Sequence, residues 1–246
     1  MSLAITVLGC DGSYAGPGGS CSGYLVEGGG ASVWLDAGPG TLANLQRHLD
    51  LDTLDAVVLT HAHPDHWVDV LPYHNVVRYF RPRTGVAVFS PPEVRRLAGE
   101  VNGRLEPAFD WTEVHDGSSV DVRGLSLSFS RTDHPPETLA VRIDVPGAAS
   151  IGYSADTGPG WSLSELGPGL DLAMCEASLA PEDERKVQHL TAAQAGTSAR
   201  AAGVRHLVIT HLQPGVDADR SRSDASAAFG LPVDVAAIGE RYEVSG

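Results

Sequence analysis

The sequence predicts an α/β fold in one domain spanning residues 1–246. Most of its short apolar runs have four to six residues and are bounded by Gly, Pro or Asp, which is typical of strands. With 42% hydrophobic residues and no obvious linker, the chain can also bury one large core. The runs that we predict as strands are 3–8, 24–26, 33–35, 56–59, 86–89, 125–129, 139–143, 150–153, 170–175 and 207–209.

A short internal echo indicates that the domain consists of two related halves, about 1–118 and 119–246. Residues 56–61 resemble residues 206–211, because each segment is an apolar strand that ends in Thr-His. Two halves that each present a histidine at a strand end predict a pseudo-symmetric sandwich with a metal site across one edge.

Helical patterns are fewer than strand patterns. We expect helices at 41–49, 67–80, 93–105 and 192–202. The second should be irregular around Pro72. The last is the best marked, because Thr191 can cap it, Gln194 completes a capping box and Gly203 ends it. Its first turn is a natural place for an anion, and His189 lies just before it.

Charge and cysteine content limit the possible functions. Lys and Arg total 17 against 31 Asp and Glu, and this net charge of −14 argues against a broad nucleic-acid groove. Bound cations would add positive charge locally, so a small phosphorylated substrate stays compatible. The three cysteines (Cys10, Cys21, Cys175) form no CxxC pair, and the N-terminus does not resemble a signal peptide. No apolar stretch reaches the ~20 residues that span a bilayer. We therefore expect a cytoplasmic protein with no membrane partner.

The most informative segment is His61-Ala62-His63-Pro64-Asp65-His66, which follows the apolar run 54–59. It places four metal-ligand side chains within six residues, and folding alone does not call for such a cluster. Imidazole nitrogens suit zinc, and a carboxylate can extend the site to a second divalent ion. The cluster therefore predicts a site for two adjacent cations at a strand end.

Two cations need further ligands, which must come from other strand ends. Three residues each follow a predicted strand and lie among turn residues: His134, Asp156 and His211. The remaining histidines, His48, His74, His115 and His206, have no such context, and we expect them on the surface or in the core.

Taken in order, these motifs resemble the metallo-β-lactamase superfamily, and within it the ribonuclease Z-like branch of phosphodiesterases. The likeness rests on His-x-His-x-Asp-His, a lone His, Ser-Ala-Asp-Thr at 154–157, His-Leu-Thr at 189–191 and Thr-His at 210–211. It extends over nearly the whole chain and implies a four-layer αββα sandwich.

The resemblance also implies a ligand set for two divalent ions, most simply Zn²⁺ with Mn²⁺ as the alternative. One ion would be held by His61, His63 and His134, the other by Asp65, His66 and His211, and Asp156 would bridge both. Asp36, at the end of the run 33–35, would orient a ligand imidazole without binding metal.

Three residues are candidates for catalysis beside the ligands. His189 matches an active-site histidine of the family and would donate a proton or contact phosphate. Asp65 could orient the attacking water in addition to binding metal. Glu176 ends an apolar run close to the site, and it could equally have a structural role in holding a loop or His189.

The function that we expect is hydrolysis of a cyclic nucleotide such as cyclic AMP, or of another small phosphodiester, by a water that both cations activate. The alternatives are a tRNA 3′-processing endoribonuclease, a thioester or ester hydrolase of the same fold, and a non-catalytic metal-site protein. Processing of tRNA is disfavoured, because the chain has no Gly- and Lys-rich insertion like the tRNA-binding arm of ribonuclease Z, and because its net charge is −14.

One departure from the family pattern concerns proton transfer. Tyr153 stands where some ribonucleases Z have an acidic residue that pairs with the active-site histidine. A His–carboxylate pair would have to be rebuilt here, and Glu176 is the candidate. By analogy with related enzymes, we also expect a homodimer.

Overall fold

The computed structural model of the protein describes residues 2–183 and 187–245. These residues form two seven-stranded sheets that pack face to face. In chain order the strands are β1 Ser2–Gly9, β2 Gly23–Gly28, β3 Ala31–Ala37, β4 Ala56–Val58, β5 Val86–Ser90, β6 Phe109–Glu113, β7 Ser119–Val122, β8 Leu125–Arg131, β9 Leu139–Val145, β10 Ala149–Tyr153, β11 Leu172–Glu176, β12 His206–Thr210, β13 Asp234–Val235 and β14 Arg241–Ser245.

The two sheets share one pattern of pairing. The first has the order β14-β1-β2-β3-β4-β5-β6 and the second β7-β8-β9-β10-β11-β12-β13. In each, the first three pairings are antiparallel and the last three are parallel. Strand β14 therefore holds the place in the first sheet that β7 holds in the second. The two Thr-His strands are not equivalent, because β4 occupies the fifth position and β12 the sixth.

Helices cover the outer face of both sheets. They are α1 Thr41–Leu45, α2 Pro64–Trp67, α3 Val70–Asn75, α4 Pro92–Asn102, α5 Ala192–Ala201 and α6 Ala218–Phe229. A buried core lies between the sheets, a second lies under α1–α4, and a third lies under α5 and α6. These four layers confirm the predicted αββα sandwich. None of the helices in the described part of the chain is long and apolar enough to cross a membrane.

Each run that the sequence predicts as a strand overlaps a strand of the structure. The helical prediction at 67–80 was only partly right, because the segment divides into α2, α3 and a π-helix at Val76–Phe80. Pro72 is the third residue of α3, where the backbone N–H it lacks would have no partner within the helix. The predicted helix at 41–49 is shorter, and the one at 192–202 has the predicted capping box.

The sequence reading missed α6 and the strands β6, β7, β13 and β14. Helix α6 buries only Ser221, Ala225 and Phe229, a narrow stripe among small and polar residues. It packs closely on α5, where a side chain at Gly196 would collide with the backbone oxygen of Ala225. Helix α6 is thus held by packing, and its own sequence has little apolar pattern.

The ends of several parallel strands meet at one edge of the sandwich, and the backbone there is unusual. Five non-glycine residues in the described ranges have a positive φ. Four belong to this edge and the loops around it: Ser13 (63°), Asp36 (55°), Ala155 (49°) and His211 (57°). Backbone of this kind costs of order 1–3 kcal/mol per residue and concentrates at functional sites.

Candidate metal centre

Three overlapping groups of metal-ligand atoms converge at this edge, and one of them consists of Asp156, His189 and His211. In the first donor group (His61, His63, His134 and Asp156) the ligand atoms all lie within 4.8 Å of one another. Nδ1 of His63 is 3.1 Å from Nε2 of His134, and Oδ2 of Asp156 is 3.5 Å from Nε2 of His61. Residues that follow three strands therefore contribute to this group: β4 of the first sheet, and β8 and β10 of the second.

The second donor group (Asp65, His66 and His211) adjoins the first. Nε2 of His66 and Nε2 of His211 are 3.1 Å apart, and Oδ2 of Asp65 is 3.2 Å from Nε2 of His211. Asp156 connects the two groups, because its other oxygen, Oδ1, lies 3.2 Å from His66 and 3.4 Å from His211. The structure thus brings together all seven residues that the sequence reading proposed as ligands.

Local structure explains how one short segment supplies four of these side chains. His63 precedes α2 in an extended conformation, and Pro64 begins the helix. The helical turn then directs Asp65 and His66 towards the same side, while Trp67 closes the loop by donating Nε1–H to the Ala62 oxygen over 3.1 Å. The carboxylate of Asp65 also accepts a 2.9 Å hydrogen bond from the backbone N–H of Ser13.

Hydrogen bonds behind the ligands fix the orientation of the imidazoles. His66 donates Nδ1–H to Asp36 over 2.7 Å, and His134 donates Nδ1–H to the Gln188 backbone oxygen over 2.9 Å. His211 Nδ1 is 2.7 Å from Ser178 Oγ. With Nδ1 engaged in this way, each ring directs its Nε2 towards the centre.

The carboxylate of Asp36 is the hub of this outer layer. It accepts hydrogen bonds from the N–H and hydroxyl of Thr60, from His66 and from the Tyr153 hydroxyl. Thr60 Oγ1 in turn lies 3.1 Å from His61 Nδ1. The sequence reading placed Asp36 behind a ligand, but it missed Thr60, Ser178 and the role of Tyr153. The sequence did carry a signal for Thr60, because a threonine directly precedes the histidine both at 60–61 and at 210–211.

A further observation, which does not depend on the residue types of the donors, indicates that they fit divalent cations. Five buried side-chain N or O atoms of the described residues make no hydrogen bond, and two of them, His61 Nε2 and Asp156 Oδ1, belong to the first donor group. Leaving such atoms without a partner costs of order 1–3 kcal/mol each. Nε2 of His66 and Nε2 of His211 also face each other at 3.1 Å. Cations between these atoms would satisfy all four.

The local electrostatics hold most of these side chains in ligand form. His66 differs, because burial lowers its pKa but the charges of Asp156 and Asp36 outweigh it and raise the pKa well above the usual value, so a metal would displace a proton from this ring. Burial and the neighbouring His66 lower the pKa of His61 to about 4, so this imidazole is neutral. Burial alone would raise the pKa of Asp156, but the histidines around it, His211 first, hold its pKa well below the usual range. Asp65 behaves similarly, with His211 lowering its pKa against the effect of burial. Neutral imidazoles and ionised carboxylates are the forms that bind metal.

His189 forms an ion pair with Glu176 at the rim of the centre. Nδ1 of His189 is 2.8 Å from Oε1 of Glu176, which is almost fully buried. Burial lowers the pKa of His189, but the hydrogen bond and charge of Glu176 outweigh it and raise the pKa to about 9. The His189 ring also lies near His134 and His211, with ring centroids 4.9 and 5.7 Å away.

Several donors hold the Glu176 carboxylate in place. Oε1 accepts from the Thr157 N–H over 2.7 Å, and Oε2 accepts from the Ser178 hydroxyl over 2.9 Å and the Leu190 N–H over 3.2 Å. Both structural roles considered for Glu176, holding a loop and holding His189, are therefore present in its contacts.

The other histidines belong to neither donor group. His74 is buried and lies 3.1 Å from the backbone oxygen of Leu105, while His115 and His206 pair with surface carboxylates. His48 is exposed. This agrees with their predicted structural placement.

Comparison with known proteins identifies the family. Residues 19–212 match the family described as "Beta-lactamase superfamily domain". The chain belongs to the beta-lactamase superfamily. Of its relatives, the uncharacterized protein Rv1339 of Mycobacterium tuberculosis is 34% identical, over 99% of this chain and 93% of the relative.

Two further relatives in this superfamily have more descriptive names. The probable metallo-hydrolase YhfI of Bacillus subtilis is 27% identical over 98% of this chain and 100% of its own. Its crystal structure matches with a TM-score of 0.89 and 24% identity, covering 99% of this chain and 100% of that one. A ribonuclease Z of Methanopyrus kandleri is 28% identical over 94% of each chain. The superfamily fold and the His/Asp cluster make this chain a metal-dependent hydrolase.

Proposed function

We propose that the protein is a dinuclear metal-dependent phosphodiesterase that hydrolyses a cyclic nucleotide such as cyclic AMP, or another small phosphodiester. The observation that carries the proposal is the combination of two adjoining donor groups with a His–carboxylate pair at their rim. The donor groups suit two cations, and the pair suits protonation of a sugar oxygen. An arrangement of this kind serves phosphoryl transfer to water.

In this proposal the first donor group would hold one divalent ion and the second another, with Asp156 within reach of both groups. Zinc is the expected metal because five of the seven donors are imidazoles, and manganese is the alternative. Bound divalent ions supply Lewis-acid polarisation of the phosphate oxygens and an acidified water.

The remaining chemistry falls to the side chains. His189 donates a proton from its second ring nitrogen to the departing sugar oxygen as the bond from that oxygen to phosphorus breaks. Glu176 keeps Nδ1–H engaged and favours the protonated imidazole at neutral pH. Asp65, fixed by the N–H of Ser13, orients the incoming water in addition to binding metal.

A small substrate fits this chain better than a tRNA precursor does. The net charge of −14 gives little long-range attraction for a polyanion. The second candidate is nevertheless tRNA 3′ processing, which the similarity to ribonuclease Z relatives favours. A thioester or ester hydrolase of the same fold is the third.

A substrate panel on protein of measured metal content tests the proposal. Zinc- or manganese-loaded protein should hydrolyse bis(4-nitrophenyl) phosphate and 3′,5′-cyclic AMP. Failure on both substrates, together with cleavage of a thioester, would refute the phosphodiesterase. Specific cleavage of a tRNA precursor at its 3′ end, without activity on cyclic nucleotides, would replace it with the ribonuclease.

The proposal also covers where the enzyme works and its oligomeric state. We infer a cytoplasmic enzyme that works as a homodimer, as the family resemblance implies. Light scattering of the purified protein should give twice the mass of the 25.8 kDa chain, and a monomer would contradict this inference.

A further inference from the structure

A cleft of about 660 Å³ opens beside the first donor group and extends away from it. Its lining includes His63, His134 and His189, so the cleft reaches the proposed reaction centre. Apolar side chains, Pro135 and Pro159 among them, also line it. Such walls suit a flat, mainly apolar group attached to the phosphate that reacts at the inner end.

The side chains of Asp133 and Gln188 form a hydrogen-bonded pair in the lining of the cleft. Oδ1 of Asp133 accepts a 3.1 Å hydrogen bond from Nε2 of Gln188, and Oδ2 accepts a 2.9 Å bond from the N–H of Gly160. The backbone oxygen of Gln188 accepts the Nδ1–H of His134. The pair is thereby fixed to a residue of the first donor group.

The pair lines the cleft and has unused hydrogen-bonding capacity. A side-chain amide has two N–H donors and one oxygen, and the bond to Asp133 uses one donor. In the described ranges, the Gln188 oxygen and second N–H make no further bond, and the Asp133 carboxylate has lone pairs to spare. The pair therefore offers a ligand one N–H donor of Gln188 beside several oxygen acceptors, and the Asp133 carboxylate among these acceptors is negatively charged.

We propose that this cleft binds the nucleobase of the substrate, and that Asp133 and Gln188 select bases with an amino group at purine C6 or pyrimidine C4 (adenine or cytosine, here the amino bases) over those with an oxo group at the same position (guanine or uracil, the oxo bases). This rests on the proposed phosphodiesterase function. An amide pairs with adenine through two parallel hydrogen bonds to its amino group and ring nitrogen. A carboxylate beside it attracts the hydrogens of an amino group at purine C6 or pyrimidine C4 and repels a carbonyl oxygen at that position.

The test compares kcat/KM for the 3′,5′-cyclic nucleotides of adenine, cytosine, guanine and uracil. The native protein should favour the amino bases by about tenfold, the discrimination that one good bidentate pair gives. In Gln188→Leu this preference should fall to within about twofold. Gln46→Leu is the matched control, because Gln46 is exposed and its side chain, as far as the described residues show, bonds to the Leu42 oxygen of α1 alone. Its preference should equal that of the native protein.

A second variant and a binding measurement keep the inference separate from catalysis. Asp133→Asn should improve the oxo-base substrates relative to the amino-base ones. Adenosine and guanosine, which carry no phosphate, should bind the native protein with the same order of preference in calorimetry.

The two proposals can fail separately. A native protein that hydrolyses bis(4-nitrophenyl) phosphate but treats the four bases alike overturns the base selection and leaves the phosphodiesterase standing. Preference that persists unchanged in Gln188→Leu overturns the role of this residue. If no phosphodiester is hydrolysed, the phosphodiesterase fails, and equal binding of the two nucleosides would then overturn base selection as well.

Discussion

The Tyr153 hydroxyl should contribute more to this protein than an ordinary buried tyrosine hydroxyl does. It donates to Oδ2 of Asp36 over 2.9 Å, and Asp36 in turn holds Nδ1 of His66. Burial and the Asp36 charge raise the pKa of Tyr153 well above its usual value, so the phenol remains a donor. A hydrogen bond to a charged group is worth about 1.5–3 kcal/mol. Tyr153→Phe should therefore lower the free energy of unfolding of the metal-free protein by about 2 kcal/mol.

The same substitution should weaken metal binding. Without the phenol, the carboxylate of Asp36 keeps only its bonds to Thr60 and His66, and it fixes the His66 ring less firmly. Loss of an outer hydrogen bond of this type lowers metal affinity by about 10- to 100-fold. Urea unfolding of metal-free protein measures the first effect, and competition with a chromophoric chelator measures the second.

Tyr24→Phe is the matched control. Tyr24 is as deeply buried, its ring packs 5.1 Å from that of Tyr153, and its hydroxyl bonds to the neutral Thr210 hydroxyl over 2.6 Å. It should cost about 1 kcal/mol of stability and leave metal affinity unchanged. If the two variants lose equal stability and both keep native metal affinity, the reasoning about Asp36 is wrong.

Three further predictions concern the centre itself. Asp156→Ala or His211→Ala should lower the metal content measured by elemental analysis, and full retention of two ions per chain would contradict the proposed ligand set. His189→Ala should keep its metal but hydrolyse cyclic AMP about 10²- to 10⁴-fold more slowly, the usual range for a general acid. The same variant should slow the hydrolysis of a 4-nitrophenyl phosphodiester much less. An equal loss of rate on this substrate and on cyclic AMP would exclude proton donation by His189. Glu176→Gln should lower the pKa of His189, so the protonated form, and the rate, should be lost at lower pH than in the native enzyme. An unchanged alkaline limb of the pH–rate profile would show that Glu176 does not set this pKa.

The convergence of the seven proposed ligands was predictable because its signals are local. Four donors fall in one six-residue segment, and His134, Asp156 and His211 each follow an apolar strand with turn residues around them. Strand ends in a layered α/β fold meet at an edge, so proximity in space follows from a pattern that is visible along the chain.

The remainder depends on contacts between distant residues. Strand β14 pairs with β1 across almost the entire length of the chain, and nothing near Arg241–Ser245 indicates that partner. The Tyr153–Asp36 bond joins the two sheets, so it exists only once they have packed. For Glu176, the sequence left a structural and a catalytic role open, because only the fold brings His189 to it.

The seven donors also have a mechanical consequence. Four of them are carried by the first sheet, and His134, Asp156 and His211 by the second, so bound cations would clamp the sheets together at this edge. A ligand that binds only the folded chain adds RT ln(1 + [L]/Kd) to its stability, about 4 kcal/mol at a thousandfold excess over Kd. Metal supply would then govern how long each molecule survives in the cell as well as how fast it turns over.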